Sequence, residues 1–181
     1  MTSPGASRVL EPADRAPVVR EARPEEWAAA GAIVQAAYRG DDDPATLDAP
    51  SRAYLDHVAD VADRARTCTI LVALLDGELA GCLTLVPGPG GPYSETERPG
   101  EAGIRMLGVD PRRQGRGVGR ALMLAAIERA RAAGARRLTL VVRADNPPAH
   151  ALYRRLGFRR APDRDFTPTP GVELQGYELD L

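Results

Sequence analysis

The residues best placed to do chemistry form one short run, Gln114-Gly115-Arg116-Gly117-Val118-Gly119-Arg120, set between a stretch of strand character and an amphipathic, helix-spaced stretch. A turn of this kind offers unpaired backbone N–H groups at the positive end of a helix. That is a site for an anion, best suited to a pyrophosphate. Glycine matters because a Cβ would hold phosphate oxygens off the backbone, and Arg112, Arg113, Arg116 and Arg120 add positive charge around it. Two common nucleotide patterns fail. All 24 basic residues are Arg, so there is no P-loop lysine, and the residue three after Gly117 is Arg120, where a dinucleotide fingerprint needs glycine. Two readings of the turn remain: a site for another phosphate ligand, or a plain strand-to-helix turn ringed by solvated arginines.

The surrounding pattern shows what must position this run. Residues 1–16 are rich in Pro, Ser and Ala without periodicity and read as a disordered tail, leaving one domain over 17–181. Val18-Val19-Arg20 reads as a short strand. Pro24-Glu25-Glu26 opens a helix that runs to about Tyr38, and Ser51 caps a second helix to Ala65. Ile70–Leu75 and Leu79–Val86, joined by Asp76-Gly77, have the signature of a β-hairpin. Pairing Leu75 with Glu78 would set Cys68 opposite Leu85 and Cys82 opposite Leu71. Pro87–Gly100 is a long surface loop. Glu101–Val109 returns to strand character, a helix spans about Gly117–Ala133, and Arg137–Arg143 is a buried strand. Asn146-Pro147-Pro148 starts a helix ending at Gly157, and two short strands follow, about Phe158–Ala161 and Glu173–Leu179.

Gln114-x-x-Gly117-x-Gly119, after a strand ending Leu107-Gly108-Val109-Asp110-Pro111, resembles the acyl-CoA loop of the GNAT acetyltransferase superfamily. Asn146, Tyr153 and Leu156-Gly157-Phe158 stand at that superfamily's spacing, and the order of elements from Val18 to Leu179 matches it. The resemblance implies an α/β fold: a mixed, mostly antiparallel seven-stranded sheet flanked by helices, with a V-shaped opening between the fourth and fifth strands. It also implies direct transfer of acetyl from acetyl-CoA to a primary amine of a small molecule or protein, with no metal. A non-catalytic CoA-binding module and a transferase of longer acyl chains are the alternatives.

The same resemblance assigns roles. Leu107, Gly108 and Val109 pair their backbone with the pantetheine amides, Gly108 being suited to a bulge. Gln114, Gly115, Arg116, Gly117, Val118, Gly119 and Arg120 hold the pyrophosphate. Asn146 caps its helix and contacts the cofactor near the pantetheine arm. Tyr153 acts as general acid towards the leaving thiolate, a phenol near pKa 10 facing the conjugate base of a thiol near 8.5. Glu101, at the start of the fourth strand, is the candidate general base, with Glu95 and Glu97 as weaker choices. Asp41-Asp42-Asp43 reads as a solvated loop that could attract a cationic amine. His57 and His150 lack any metal spacing and read as surface or helix residues.

The composition sets bounds. A net charge of −1 and only 8 aromatic residues argue against a nucleic-acid partner. No apolar run is long enough for a membrane span, and Met1–Pro17 lacks the features of a secretory signal. Cys68 and Cys82 form no CxxC, which fits a reducing cytoplasm. The partners expected are acetyl-CoA and an amine; a homodimer is open.

Overall fold

The computed structural model describes residues 16–95 and 98–181. Apart from Ala16, the expected tail lies outside the described residues, as does Glu97. At the centre is the hairpin of β2 (Thr69–Leu75) and β3 (Glu78–Val86). Its turn residues Asp76 and Gly77 have φ of 56° and 85°, both positive as a tight two-residue hairpin requires. Leu75 faces Glu78 as expected, but the register then slips. Leu74 opposes Leu79 while Ala73 opposes Gly81, so Ala80 is an extra residue in β3. The bulge sets Cys82 against Val72 instead of Leu71, and Leu85 against Thr69 instead of Cys68. Both cysteines are free.

Alternate residues of β2 enter different cores, which is why its sequence is continuously apolar. Leu71, Ala73 and Leu75 meet Leu122, Met123 and Ala126 of one helix, α4 (Val118–Ala132). Ile70 and Val72 meet Ala30 and Val34 of α1 (Trp27–Arg39) and Val58 of α2 (Ala49–Ala59) on the opposite face. The second helix differs from the expectation at both ends. Asp48, not Ser51, is its cap, accepting from Ser51 N at 2.8 Å. It stops at Asp60, whose own carboxylate caps a separate short turn, α3 (Val61–Arg64).

Among the described residues the sheet has eight strands, in the order β1-β2-β3-β4-β5-β8-β6 with β7 paired to β8. These are β1 (Val18–Glu21), β4 (Glu101–Val109), β5 (Arg137–Arg143), β6 (Arg159–Arg160), β7 (Phe166–Thr169) and β8 (Val172–Asp180), and α5 (Pro147–Arg155) lies between β5 and β6. The strand absent from the expected seven is β7, Phe-Thr-Pro-Thr. A proline interrupts it and all four residues are exposed, so it has no buried face to give alternation.

Every pairing is antiparallel except β4 with β5, and that parallel ladder is short. It joins Glu101–Ile104 to Arg137–Leu140 and goes no further. Beyond it β4 stays with β3 and β5 stays with β8, so the two strands part as expected. The bulge that accompanies the parting is not at Gly108. Cys82 opposes Gly108 and Thr84 opposes Arg105, so Leu83 faces both Met106 and Leu107, and Met106 takes φ 51°. Gly108 is glycine for another reason: a Cβ there would lie 2.8 Å from Val34 Cα, where α1 crosses the strand.

This difference is testable. Gly108→Ala must push back a helix backbone and is expected to cost about 1–3 kcal/mol in urea unfolding. Gly103→Ala would find Val86 Cβ at 3.6 Å, an ordinary contact, and is expected to be close to neutral.

Candidate active site

The glycine turn connects the parted end of β4 to α4. Gly115 and Gly117 have φ of 74° and 80°, and a Cβ at either would meet nothing within 4 Å, so the backbone there is bare. Gly117 is the N-cap of α4, and the first intrahelical bond is Ala121 N to Gly117 O at 2.9 Å. The N–H groups of Val118, Gly119 and Arg120 therefore have no intrahelical acceptor. The first turn of α4 carries no acidic residue that would neutralise its positive end.

The arginines around the turn are less free than their number suggests. Arg113 bonds Leu75 O at 3.1 Å and pairs with Glu78, while Arg116 pairs with Asp76 at 3.0 Å. Both fasten the turn to the tip of the β2–β3 hairpin. Arg112 is held by Asp110 at 3.0 Å. Among the described residues no carboxylate pairs with Arg120, which is exposed.

On the other side of the opening, Asn146 caps α5, its Oδ1 accepting from Ala149 N at 3.2 Å. Tyr153 on α5 is 6% exposed, and its ring packs against Phe158 and Tyr177 with centroids 6.0 Å away in both cases. Burial pushes its phenol well above the usual value, and no described residue hydrogen-bonds its hydroxyl. His150 is one turn earlier on the same helix, as one of the two expected readings had it, and is buried. Its Nε2 lies 3.1 Å from Arg143 O, so Nε2–H donates there and Nδ1 accepts from the Tyr177 hydroxyl at 2.8 Å. His150 thus ties α5 to the end of β5. The i, i+3 spacing of His150 and Tyr153 was the signal that both share a helix face.

Glu101 does not join these residues. It is buried at the start of β4, bonded by Arg164 at 2.5 Å with Arg137 Nη1 at 3.8 Å. That is the closed end of the ladder; the strands part only after Ile104, about 10 Å farther along at some 3.3 Å per residue. At the parting itself stands Arg105, with Glu95 Oε1 at 2.7 Å. Tyr38 at the end of α1 and Tyr54 on α2 face each other nearby, ring centroids 6.2 Å apart, 40% and 52% exposed. Tyr38 is within electrostatic reach of Tyr54, Tyr153, Arg105 and Arg64, and burial of its phenol end pushes it up although the residue as a whole is partly open. Of this group the sequence reading held only Glu95 and Tyr153. Asp41, Asp42 and Asp43 are exposed in the loop between α1 and α2.

Cavities of about 380 Å³ lie under Pro87–Gly91 beside Cys68 and Tyr93, and between Ala32, Ile33 and Pro111.

Comparison with known proteins agrees with this architecture. A mycothiol acetyltransferase of Clavibacter michiganensis is 50% identical over 62 residues, 34% of this chain and 20% of that protein. One of Sanguibacter keddieii is 33% identical over 163 residues, 83% of this chain and 50% of that protein. The chain thus spans half or less of the length of these curated relatives. The crystal structure of PaiA N-acetyltransferase from Thermoplasma acidophilum, in complex with coenzyme A, superposes with a TM-score of 0.69 at 15% identity, covering 92% of this chain and 100% of that one. No described helix is long and apolar enough to cross a membrane. The profile described as the Acetyltransferase (GNAT) family matches residues 23–158, most of the chain, and the chain belongs to that family.

Proposed function

We propose that the chain transfers the acetyl group of acetyl-CoA to a primary amine of a small molecule or protein. One observation carries the reading: a bare helix N-terminus, capped by a glycine at φ 80°, opens directly onto the cleft where β4 and β5 part. A long ligand with a pyrophosphate at one end and an amide-bearing arm at the other fits that shape. Gln114 and the backbone from Gly115 to Arg120 hold the pyrophosphate. Leu107, Gly108 and Val109 offer backbone groups to the arm, with the bulge at Met106 turning the strand towards it. Asn146 borders the same cleft from α5.

Bound there, acetyl-CoA supplies a thioester carbonyl open to attack by an amine. This chain's residues hold the two reactants in line, and Tyr153 provides the proton that the sulfur needs as it leaves. Glu101, clamped between two arginines away from the cleft, reads as structural. The match to proteins named mycothiol acetyltransferase supports acetyl as the group moved.

Titration calorimetry with acetyl-CoA, CoA and ATP, followed by thiol release with a panel of primary amines, tests the reading. Binding of both CoA species but not ATP, and thiol release that depends on an amine, is the expected result. CoA binding without turnover would make the chain a binding module, and a stronger response to longer acyl donors would change the group moved.

A further inference from the structure

The long β3–β4 loop is pinned where it crosses the acceptor side of the cleft. Tyr93, 6% exposed, gives its hydroxyl to Asp63 Oδ2 at 2.5 Å and stacks on His57, with ring centroids 5.8 Å apart and planes 17° from parallel. Its carbonyl accepts from Arg105 Nη1 at 3.4 Å, and the same guanidinium pairs with Glu95, two residues on. Contacts from α2, α3 and β4 therefore fix the backbone that carries Glu95. Arg105 is the first residue of β4 after its ladder with β5 ends, so the carboxylate it holds is at the mouth of the split. The aromatic pair Tyr38 and Tyr54 lines the same mouth, with Tyr38 in reach of Tyr153 from the other side.

We infer that Glu95 is the acceptor-side catalytic residue: it receives the substrate as a primary ammonium ion beside the Tyr38–Tyr54 pair and takes its proton, with Tyr93 as the positioning residue. The inference rests on the acetyl-transfer reading above. An ammonium suits this place, since a carboxylate and two phenol rings attract a cation by charge and by their π faces. Glu95 is also a better base than a solvated glutamate. Burial pushes its carboxyl up and Arg105 offsets this only in part; Tyr54 on α2 is within electrostatic reach of Glu95, Arg105 and Arg143 of β5.

The step balances. Glu95 takes one proton from the ammonium, and the freed lone pair forms the N–C bond to the acetyl carbon. The C–S bond breaks with its electron pair on sulfur, which gains a proton from Tyr153. Nitrogen sheds its second proton to solvent, and solvent then restores Tyr153 and clears Glu95.

The best amine from the thiol-release panel serves as probe. Glu95→Gln is expected to lower kcat/KM about 100-fold. It should also replace the acid limb set by Glu95 with one that follows the fraction of free amine, its midpoint moving up to the amine's own pKa. Acetyl-CoA affinity by calorimetry should stay within about twofold. Carbon-13 NMR of carboxyl-labelled glutamate gives a readout independent of turnover: the resonance missing in Glu95→Gln should titrate above the ordinary glutamate value of about 4.3. Tyr93→Phe keeps the stack on His57 but loses the Asp63 bond, and should raise the amine KM and move the Glu95 resonance with little change in acetyl-CoA affinity. Tyr93→Ala should do more of each. A folded Glu95→Gln that keeps the wild-type rate and acid limb would overturn the inference while acetyl transfer stands. No turnover of any amine by the wild type would overturn both.

Discussion

Acetyl-CoA binding should be lost, by about 100-fold or more, when Gly117 is replaced by Asp. Two effects separate cleanly. The first is backbone strain: at φ 80° an L side chain costs about 1–2 kcal/mol, and this falls on stability. The second is charge. A carboxylate about 5 Å from a pyrophosphate, at an effective dielectric constant near 20, opposes it by roughly 3 kcal/mol, and 1.4 kcal/mol is tenfold in affinity. It also neutralises the positive end of α4 that makes the site. Gly134, just past the far end of that helix, is the matched control. It too has φ 80° with nothing within 4 Å of its Cβ position, so Gly134→Asp carries the same strain without the site. Calorimetry on both variants, each checked by urea unfolding, should show a loss of acetyl-CoA binding only in Gly117→Asp, although Gly134→Asp, whose carboxylate meets the negative end of α4, should lose at least as much stability. Equal binding by the two would remove the pyrophosphate site from the turn.

That turn was readable from the sequence because its requirement is local. A bare backbone with positive φ at a helix start needs glycine, and glycine spacing is visible in one dimension. The hairpin turn Asp76-Gly77 and the proline-marked start of α5 were legible for the same reason. What failed were features set by contacts across the sheet. The extra residue Ala80, which moves Cys82 from Leu71 to Val72, has no local signature in an apolar strand where either register buries the same residue types. Gly108 gave a true signal with the wrong cause, since the helix that approaches it is 74 residues earlier at Val34. Glu101 sits at the right end of the right strand to be proposed as a base. Only the three-dimensional arrangement brings Arg164 and Arg137 onto it and shows the cleft opening farther along. The acceptor side was least legible, because Tyr38, Tyr54, Glu95 and Arg105 come from four different segments and converge only in the fold.

Tyr153→Phe should lower kcat by about 100-fold or more while leaving acetyl-CoA affinity and stability nearly unchanged. The ring contacts with Phe158 and Tyr177 survive the substitution, and no described residue loses a hydrogen bond with the hydroxyl. A structural tyrosine would therefore tolerate it. Burial raises the phenol, which at first sight makes it a poorer acid for a thiolate whose thiol is near 8.5. The thiolate, however, is released into the same low-dielectric surroundings, and the desolvation that disfavours one anion disfavours the other. The gap between donor and acceptor stays near its solution size while the hydrogen bond between them strengthens. A raised phenol also remains protonated through the whole working range, so Tyr153 itself imposes no loss of rate at alkaline pH below about 10. The leaving group gives the decisive comparison. An acetyl thioester of a more acidic thiol needs less help as the C–S bond breaks, so its rate should fall less in Tyr153→Phe than the rate with acetyl-CoA does. If both donors lose the same factor, Tyr153 acts through packing or position and not through its proton; if neither loses more than about threefold, it has no part in the chemical step.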